Sequence, residues 1–244
     1  MRLRLEMLAG VALALCPVVA SAQSQPKAVI ELFTSQGCSS CPPADALLKK
    51  FTAERPDLMP LTLPVDYWDH LGWKDTLASP KHTSRQKAYA RTLSSGNVYT
   101  PQAVVNGVAQ AIGSNEAEIM AAVETSAKTL AGSRVEVSAR TQDGRIIVDV
   151  GAAAAAAKDR SATVWLAIVE PKAYVDIKHG ENRGRKLGYY NVVRDLTPAG
   201  MWSGKAMTLE LPAGALLQPG AKCAVIVQAG EMGRILGATW VAQR

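Results

Sequence analysis

Two cysteines three positions apart, Cys38 and Cys41, are the residues of this sequence best suited to chemistry. They follow the apolar run 28–33 and precede the helix-like segment 45–51, so they lie where a strand gives way to a helix. Thiols at this spacing can close a small-ring disulfide, and the positive end of a helix favours a thiolate. The pattern predicts dithiol–disulfide chemistry, with Cys38 at the helix start as nucleophile and Cys41 as resolving thiol.

Two other roles are open for this pair. A zinc site usually needs four ligands, but there is no second CxxC, and His70, His82 and His179 are scattered along the chain. We therefore predict no metal and no cofactor. An inert structural disulfide is the other alternative, although closing so short a loop contributes little stability.

The N-terminus predicts export. Arg2 and Arg4 precede an uncharged stretch, 7–20, which ends in the small residues 20–22. A basic start, a short apolar core and a small-x-small site are typical of a secretory signal peptide, and cleavage is expected after Ala22. The mature chain would then be periplasmic or secreted, where an accessible CxxC tends to be oxidised.

Cleavage would leave three cysteines and a net charge of +5, because the chain's +6 (27 basic and 21 acidic residues) loses two Arg and one Glu. One CxxC pair plus Cys223 is no disulfide framework, and Cys223 lies in an apolar run typical of a buried, inert thiol. Basic residues form no dense cluster, so we predict no nucleic-acid binding. No later segment is long enough for a membrane span.

The secondary-structure pattern changes near residue 132. Residues 23–131 alternate strand-like and helix-like segments, with a hairpin signal at 106–107 and Asn115 capping a long helix. Beyond Gly132 the helical period is lost, and seven short strand-like segments follow at 135–139, 146–150, 163–169, 189–193, 207–211, 224–227 and 235–241. We predict a signal peptide (1–22), an α/β domain (23–131) and a β-sandwich-like domain (132–244).

The α/β part resembles the thioredoxin superfamily, through the strand before Cys38-Ser39-Ser40-Cys41 and the Thr100-Pro101 step before a hairpin and final helix. The resemblance implies a thioredoxin-like N-terminal domain, followed by the all-β sandwich-like domain. It also implies that Pro101 is a cis-proline packed against the disulfide and that Thr100 offers its backbone to a substrate. Protein thiols or disulfides would be the partners. An ordinary trans proline is the alternative.

Glu31 is the single charge in a strand that otherwise looks buried, and an unpaired buried carboxylate is costly. The resemblance implies that it relays protons behind the second cysteine, with a pKa raised by desolvation. The alternative is a carboxylate paired with an Arg or Lys of the C-terminal domain.

The whole chain also resembles a family of uncharacterised exported bacterial proteins with a thioredoxin-like domain and a β-rich C-terminal domain. The stretches that carry this resemblance are 31–45, 65–69, 71–73, 99–102, 180–182 and 191–194. The family lends no established reaction. One departure from ordinary thioredoxins concerns the helix, since Pro42 and Pro43 are tolerated only in a first turn and favour a start at Cys41.

Two functions are consistent with these observations, and a third, a copper-handling thioredoxin relative, would need a histidine near Cys38 and Cys41, for which His70 is the only obvious candidate. The first is an exported thiol–disulfide oxidoreductase or redox partner acting through the CxxC pair. The alternative is a non-catalytic binding or assembly module. The aromatic segment 66–73 is predicted to form either a peptide-binding rim or the contact between the two domains.

Overall fold

The computed structural model describes residues 25–93, 96–214 and 220–242. The predicted signal peptide and its cleavage site lie outside these residues. Within them, no helix has the length and apolar character needed to cross a membrane.

The first half of the described chain contains four strands and the three α-helices: β1 (Ala28–Thr34), α1 (Pro42–Glu54), β2 (Leu58–Pro64), α2 (Pro80–Thr92), β3 (Gln102–Val105), β4 (Ala109–Ile112) and α3 (Glu116–Thr129). The second half is built from strands: β5 (Val137–Gln142), β6 (Arg145–Val150), β7 (Ala162–Asp176), β8 (Lys186–Trp202), β9 (Met207–Pro212), β10 (Lys222–Ala229) and β11 (Ile235–Trp240).

Local signals in the sequence explain several of these elements. The Asn115 side chain accepts the N–H of Glu118 (3.2 Å) and donates to its carboxylate (2.7 Å), which confirms the predicted cap of α3. Asn106 and Gly107 both have positive φ, 49° and 61°, as a tight β3–β4 hairpin requires.

The strands form one eight-stranded mixed sheet in the order β11-β10-β7-β8-β2-β1-β3-β4, beside a three-stranded sheet, β5-β6-β9. The predicted fold class, a thioredoxin-like α/β domain followed by an all-β sandwich-like domain, is therefore wrong. The protein is mostly β, and four strands of the second half continue the sheet begun in the first. The junction is the parallel pairing of β2 with β8, where Thr62 stands opposite Val192.

Two strands are much longer than the sequence pattern predicts, and they create this continuity. β7 spans 15 residues and β8 spans 17. The segment 198–200, whose proline and glycine are typical of a turn, lies inside β8, where the register with β7 shifts between Val164 and Trp165. A bulge of this kind absorbs an extra residue without ending the strand. Beyond the pairing with β10, which ends at Val169, β7 and β8 continue as a two-stranded hairpin.

The small sheet covers one face of the C-terminal part of the large sheet. Their shared core contains alternating side chains from both, such as Val137, Ile146, Leu166, Val225 and Leu236. A second core runs along the large sheet itself and joins apolar residues of β1 and β2 to those of β7 and β10. Apolar side chains from both halves of the chain are therefore buried together along the large sheet.

Candidate functional site

The CxxC pair lies in the loop between β1 and α1, and its two cysteines form a disulfide. Cys38 is 2% exposed and Cys41 is fully buried. Helix α1 begins at Pro42 with Cys41 as its N-cap residue, and the Cys41 carbonyl accepts the N–H groups of Ala44 (2.9 Å) and Asp45 (3.1 Å). The expectation that Cys38 starts the helix is wrong, because prolines fit only in the first turn.

The tip of the β7–β8 hairpin covers the CxxC loop. The amide nitrogen of Asn182, a residue only 1% exposed, donates to the carbonyl oxygens of Gln36 (3.0 Å) and Cys38 (2.9 Å). The N–H of Ser39 donates to the carboxylate of Glu181 (3.2 Å). The second half of the chain therefore holds the backbone of the CxxC loop and limits access to its disulfide.

We expect Asn182→Ala to speed the reduction of this disulfide by dithiothreitol, by about 5- to 100-fold, because two hydrogen bonds that hold the loop closed are lost. The measurement is the rate of thiol release under pseudo-first-order conditions. Asn191→Ala is the matched control, since Asn191 also donates a buried amide hydrogen bond, but to the carbonyl of Pro60 (3.0 Å). Equal rates for both variants would contradict a local role for Asn182.

The aromatic segment after β2 packs around the same loop. Trp73 donates its indole N–H to Oε1 of Gln36 (2.8 Å), and its ring lies 6.3 Å from that of His179 on the hairpin tip. Trp68 donates to the hydroxyl of Thr100 (2.8 Å). Trp73 therefore links the two halves of the chain, while Trp68 links the segment to the Thr100-Pro101 step.

The peptide bond between Thr100 and Pro101 is cis. Pro101 is buried immediately before β3, and its carbonyl accepts the N–H of Gly113 (2.9 Å). A Cβ on Gly113 would lie 2.6 Å from Leu32 and 3.0 Å from Pro101, so only glycine fits there. The roles of Thr100 and Pro101 in binding a substrate remain predictions.

Glu31 lies apart from the cysteine loop in a buried ion pair. Its carboxylate accepts Nε of Arg85 (2.5 Å), Nη2 of Arg85 (3.1 Å) and the hydroxyl of Tyr89 (2.5 Å). Gln228 of β10 completes the network, 3.0 Å from Arg85 and 2.8 Å from Tyr89. The basic partner comes from α2 and not from the C-terminal part, although β10 contributes an amide. Burial is the largest single effect and by itself lowers the pKa of Arg85, but the charges of Glu31 and Tyr89 and the hydrogen bonds to both together outweigh it and raise that pKa.

A carboxyl group that the sequence analysis missed lies one helical turn beyond Cys41. Asp45 is 5% exposed, and its Oδ1 accepts the hydroxyl of Thr34 (2.8 Å), while Oδ2 has no partner among the described residues. Burial, together with the charge of Asp75, raises the pKa of Asp45 to about 8. The available signal was an Asp in the first turn of a helix that directly follows the two cysteines.

Two further titratable groups lie close enough to Asp45 to interact with it electrostatically. Burial raises the pKa of Tyr189 on β8, as do the charges of Asp45 and Asp75. The Tyr189 hydroxyl is buried without a partner in the described structure. Asp75, whose pKa burial also raises, accepts the N–H groups of Gln36 (2.7 Å) and Leu77 (2.8 Å). Helix α1, strand β8 and the loop before α2 thus bring three groups with raised pKa values close to the CxxC loop.

Over residues 25–93, 96–214 and 220–242, no three His, Cys, Asp or Glu side chains are grouped as metal ligands. His70 stacks on Trp68, with ring centroids 6.5 Å apart, and its Nδ1 lies 2.8 Å from the carbonyl of Tyr67. Cys223 is a buried free thiol in β10, and burial raises its pKa.

The chain is similar to solved structures and to one family of proteins. A search of curated proteins finds no match. Among solved structures, protein AGR_C_4864 from Agrobacterium tumefaciens is 37% identical, with a TM-score of 0.78 over 90% of this chain and 95% of that one. HBP35 of Porphyromonas gingivalis shares the fold at 11% identity, with a TM-score of 0.55 over 88% of this chain and 74% of that one. Residues 29–228 match the model of a family described as a protein of unknown function, DUF1223, and the chain therefore belongs to that family.

Proposed function

We propose that the chain is an exported thiol–disulfide exchange protein that acts through Cys38 and Cys41 outside the cytoplasm. The observation that carries the proposal is the juxtaposition of the Cys38–Cys41 disulfide with Asp45, a buried carboxyl whose pKa of about 8 lies close to that of a thiol. An acid and a thiol with similar pKa values exchange a proton efficiently near neutral pH.

The exchange proceeds in two displacements. A partner thiolate attacks Sγ of Cys38, the Cys38–Cys41 bond breaks, and Cys41 leaves as a thiolate while a mixed disulfide forms. A second thiolate of the partner then attacks the partner sulfur of the mixed disulfide and releases Cys38. The partner ends oxidised by two electrons and the CxxC pair ends reduced. The reverse sequence reduces a partner disulfide.

Asp45 supplies and retrieves the proton in this scheme. At pH 7 its carboxyl is largely protonated, because its pKa is about 8, so it can protonate the departing Cys41 thiolate. In the reverse direction, the carboxylate accepts the proton of Cys41 before that sulfur resolves the mixed disulfide. We assign this role to Asp45 in place of Glu31, whose carboxylate is committed to Arg85 and Tyr89.

The reduction potential of the Cys38–Cys41 pair tests the proposal. We expect a value above about −300 mV, in the range of exchange-active pairs, from equilibration with glutathione or dithiothreitol buffers. The reduced protein is also expected to be alkylated fastest at Cys38, with Cys223→Ser as the background that removes the third thiol. A potential well below about −300 mV would contradict exchange chemistry and indicate a structural bond.

The burial of both cysteines favours a second candidate, the non-catalytic binding or assembly module. Cys38 is only 2% exposed and Cys41 is fully buried. Their disulfide can instead hold the CxxC loop against the hairpin tip. The double variant Cys38→Ser/Cys41→Ser distinguishes the two. Retained partner binding and phenotype would support the module, whereas loss of redox-dependent phenotype with an intact fold would support exchange.

A further inference from the structure

The β7–β8 hairpin concentrates the positive charge of the chain. Residues 172–190 contain five Lys or Arg and two carboxylates, a net charge of +3 in a protein whose total is +6. The cations are Lys172, Lys178, Arg183, Arg185 and Lys186. These residues are contiguous in the sequence, and the hairpin places the cations of its two strands on neighbouring strands.

One face of the hairpin is an exposed aromatic platform between lysines. Tyr174 is 56% exposed, and it lies across Gly188, where an added Cβ would stand 2.8 Å from its ring. The ammonium groups of Lys172 and Lys186 lie 4.8 and 5.9 Å from the centre of the Tyr174 ring. Glycine at position 188 therefore leaves the space that the Tyr174 ring occupies between the two cations.

Helix α1 extends this face towards the cysteines. Lys49 lies 5.7 Å from the ring centre of Tyr190, whose hydroxyl is 3.5 Å from that of Tyr174. Hydrogen bonds from Lys172 and Tyr190, together with the charge of Lys49, lower the pKa of Tyr174, which indicates a positive local potential. The same helix begins directly after Cys41.

The opposite end of the hairpin contacts the CxxC loop through Glu181 and Asn182. A partner lying along the hairpin is therefore adjacent to the disulfide. Residues two apart on one strand are spaced about 6.8 Å, which matches alternate side chains of an extended peptide. Lys172 and Tyr174 have this spacing on β7. Lys186 lies one such step further along the hairpin, on β8 opposite Asp176. The two lysines therefore complement carboxylates about four positions apart in an extended peptide.

We propose that the hairpin face formed by Lys49, Lys172, Tyr174, Lys186 and Tyr190 docks an acidic, extended polypeptide segment of the protein that exchanges with Cys38–Cys41. This inference rests on the proposed function and names its substrate class. Charge complementarity of this kind acts mainly on the association rate and weakens as salt rises.

The test uses three synthetic dithiol peptides with one core sequence, flanked by Asp and Glu, by Asn and Gln, or by Lys. Each is mixed with the oxidised protein at about 50 mM and about 500 mM salt, and the second-order exchange rate is measured. We expect the acidic peptide to react about tenfold faster than the neutral one at low salt, and the advantage to vanish at high salt.

The triple variant Lys49→Gln/Lys172→Gln/Lys186→Gln is expected to lose the preference while reacting normally with dithiothreitol. Lys128→Gln/Lys158→Gln/Lys205→Gln, which removes three exposed lysines elsewhere, is the matched control and should keep the preference. Equal rates for acidic and neutral peptides, or an equal loss in both triple variants, would overturn the inference.

Binding to the Cys38→Ser/Cys41→Ser variant separates this inference from the proposed function. Fluorescence anisotropy with the same peptides reports docking without exchange. Preferential binding of the acidic peptide with no exchange in the native protein would contradict the proposed function but support the docking surface. Exchange with dithiothreitol but no preference among the peptides would contradict only the docking surface. Salt-sensitive binding of an oligonucleotide or of anionic vesicles that is tighter than binding of the acidic peptide would also contradict it.

Discussion

Replacing Arg85 by methionine is expected to lower the free energy of unfolding by about 3–5 kcal/mol, because Glu31 then remains buried without its counter-ion. Both side chains are almost fully buried, 4% and 1% exposed. The guanidinium also lies over the rings of Tyr89 and Trp165, at 5.1 and 5.7 Å from their centres. Urea unfolding monitored by circular dichroism at neutral pH measures the change.

The double variant Glu31→Gln/Arg85→Met is the control for this prediction. It removes both charges, and we expect it to be more stable than Arg85→Met alone. Glu31→Gln by itself should leave the reduction potential of the cysteine pair unchanged. A loss below about 1 kcal/mol for Arg85→Met would contradict the structural role of the ion pair.

Replacing Asp45 by asparagine is expected to stabilise the protein at pH 7 by about 2–4 kcal/mol and to slow thiol exchange. In the native fold the carboxyl has a pKa of about 8, against an ordinary value of 3.8. Between these two pH values the folded chain binds one more proton than the unfolded chain, so Asp45 makes stability fall as pH rises. Asparagine keeps the acceptor for Thr34 and has no proton to lose.

The pH dependence of the Asp45→Asn effect supplies its own control. Below about pH 4 the aspartic acid is protonated in both states, so native and variant proteins should unfold at similar urea concentrations, and the difference should grow up to about pH 8. A stability difference that does not change with pH would contradict a raised pKa. An exchange rate equal to that of the native protein would remove Asp45 from the proposed mechanism.

Local chemistry in the sequence was sufficient for several elements. The CxxC spacing predicts a pair that can close a disulfide, and the structure contains that bond. The Asn106-Gly107 turn and the Asn115 cap depend on a few neighbouring residues, so both can be predicted from the sequence without knowledge of the fold. Pro42 and Pro43 likewise indicated the start of α1. Proline has no backbone N–H to donate, so it is tolerated in the first turn of a helix but not in later turns.

The predicted fold class was wrong because the fold depends on pairing between strands that are distant in the sequence. Nothing local to β8 shows that Val192 pairs with Thr62, about 130 positions away in the chain. Pro198 and Gly200 are residue types typical of a turn, yet they lie within β8, because a bulge accommodates them in the strand. The sequence therefore suggested two parts of different fold class, whereas four strands of the second half continue the sheet begun in the first.

The cysteine pair at 38 and 41 was determined by the sequence alone, because residue type and spacing suffice for the chemistry of a small-ring disulfide. Its surroundings were decided by the tertiary structure. Burial raises the pKa of Asp45, while Glu31 forms an ion pair with Arg85. Both outcomes depend on what packs around each carboxyl group in the folded protein. Asn182 reaches the loop from about 140 residues away, because the long β7–β8 hairpin carries it there.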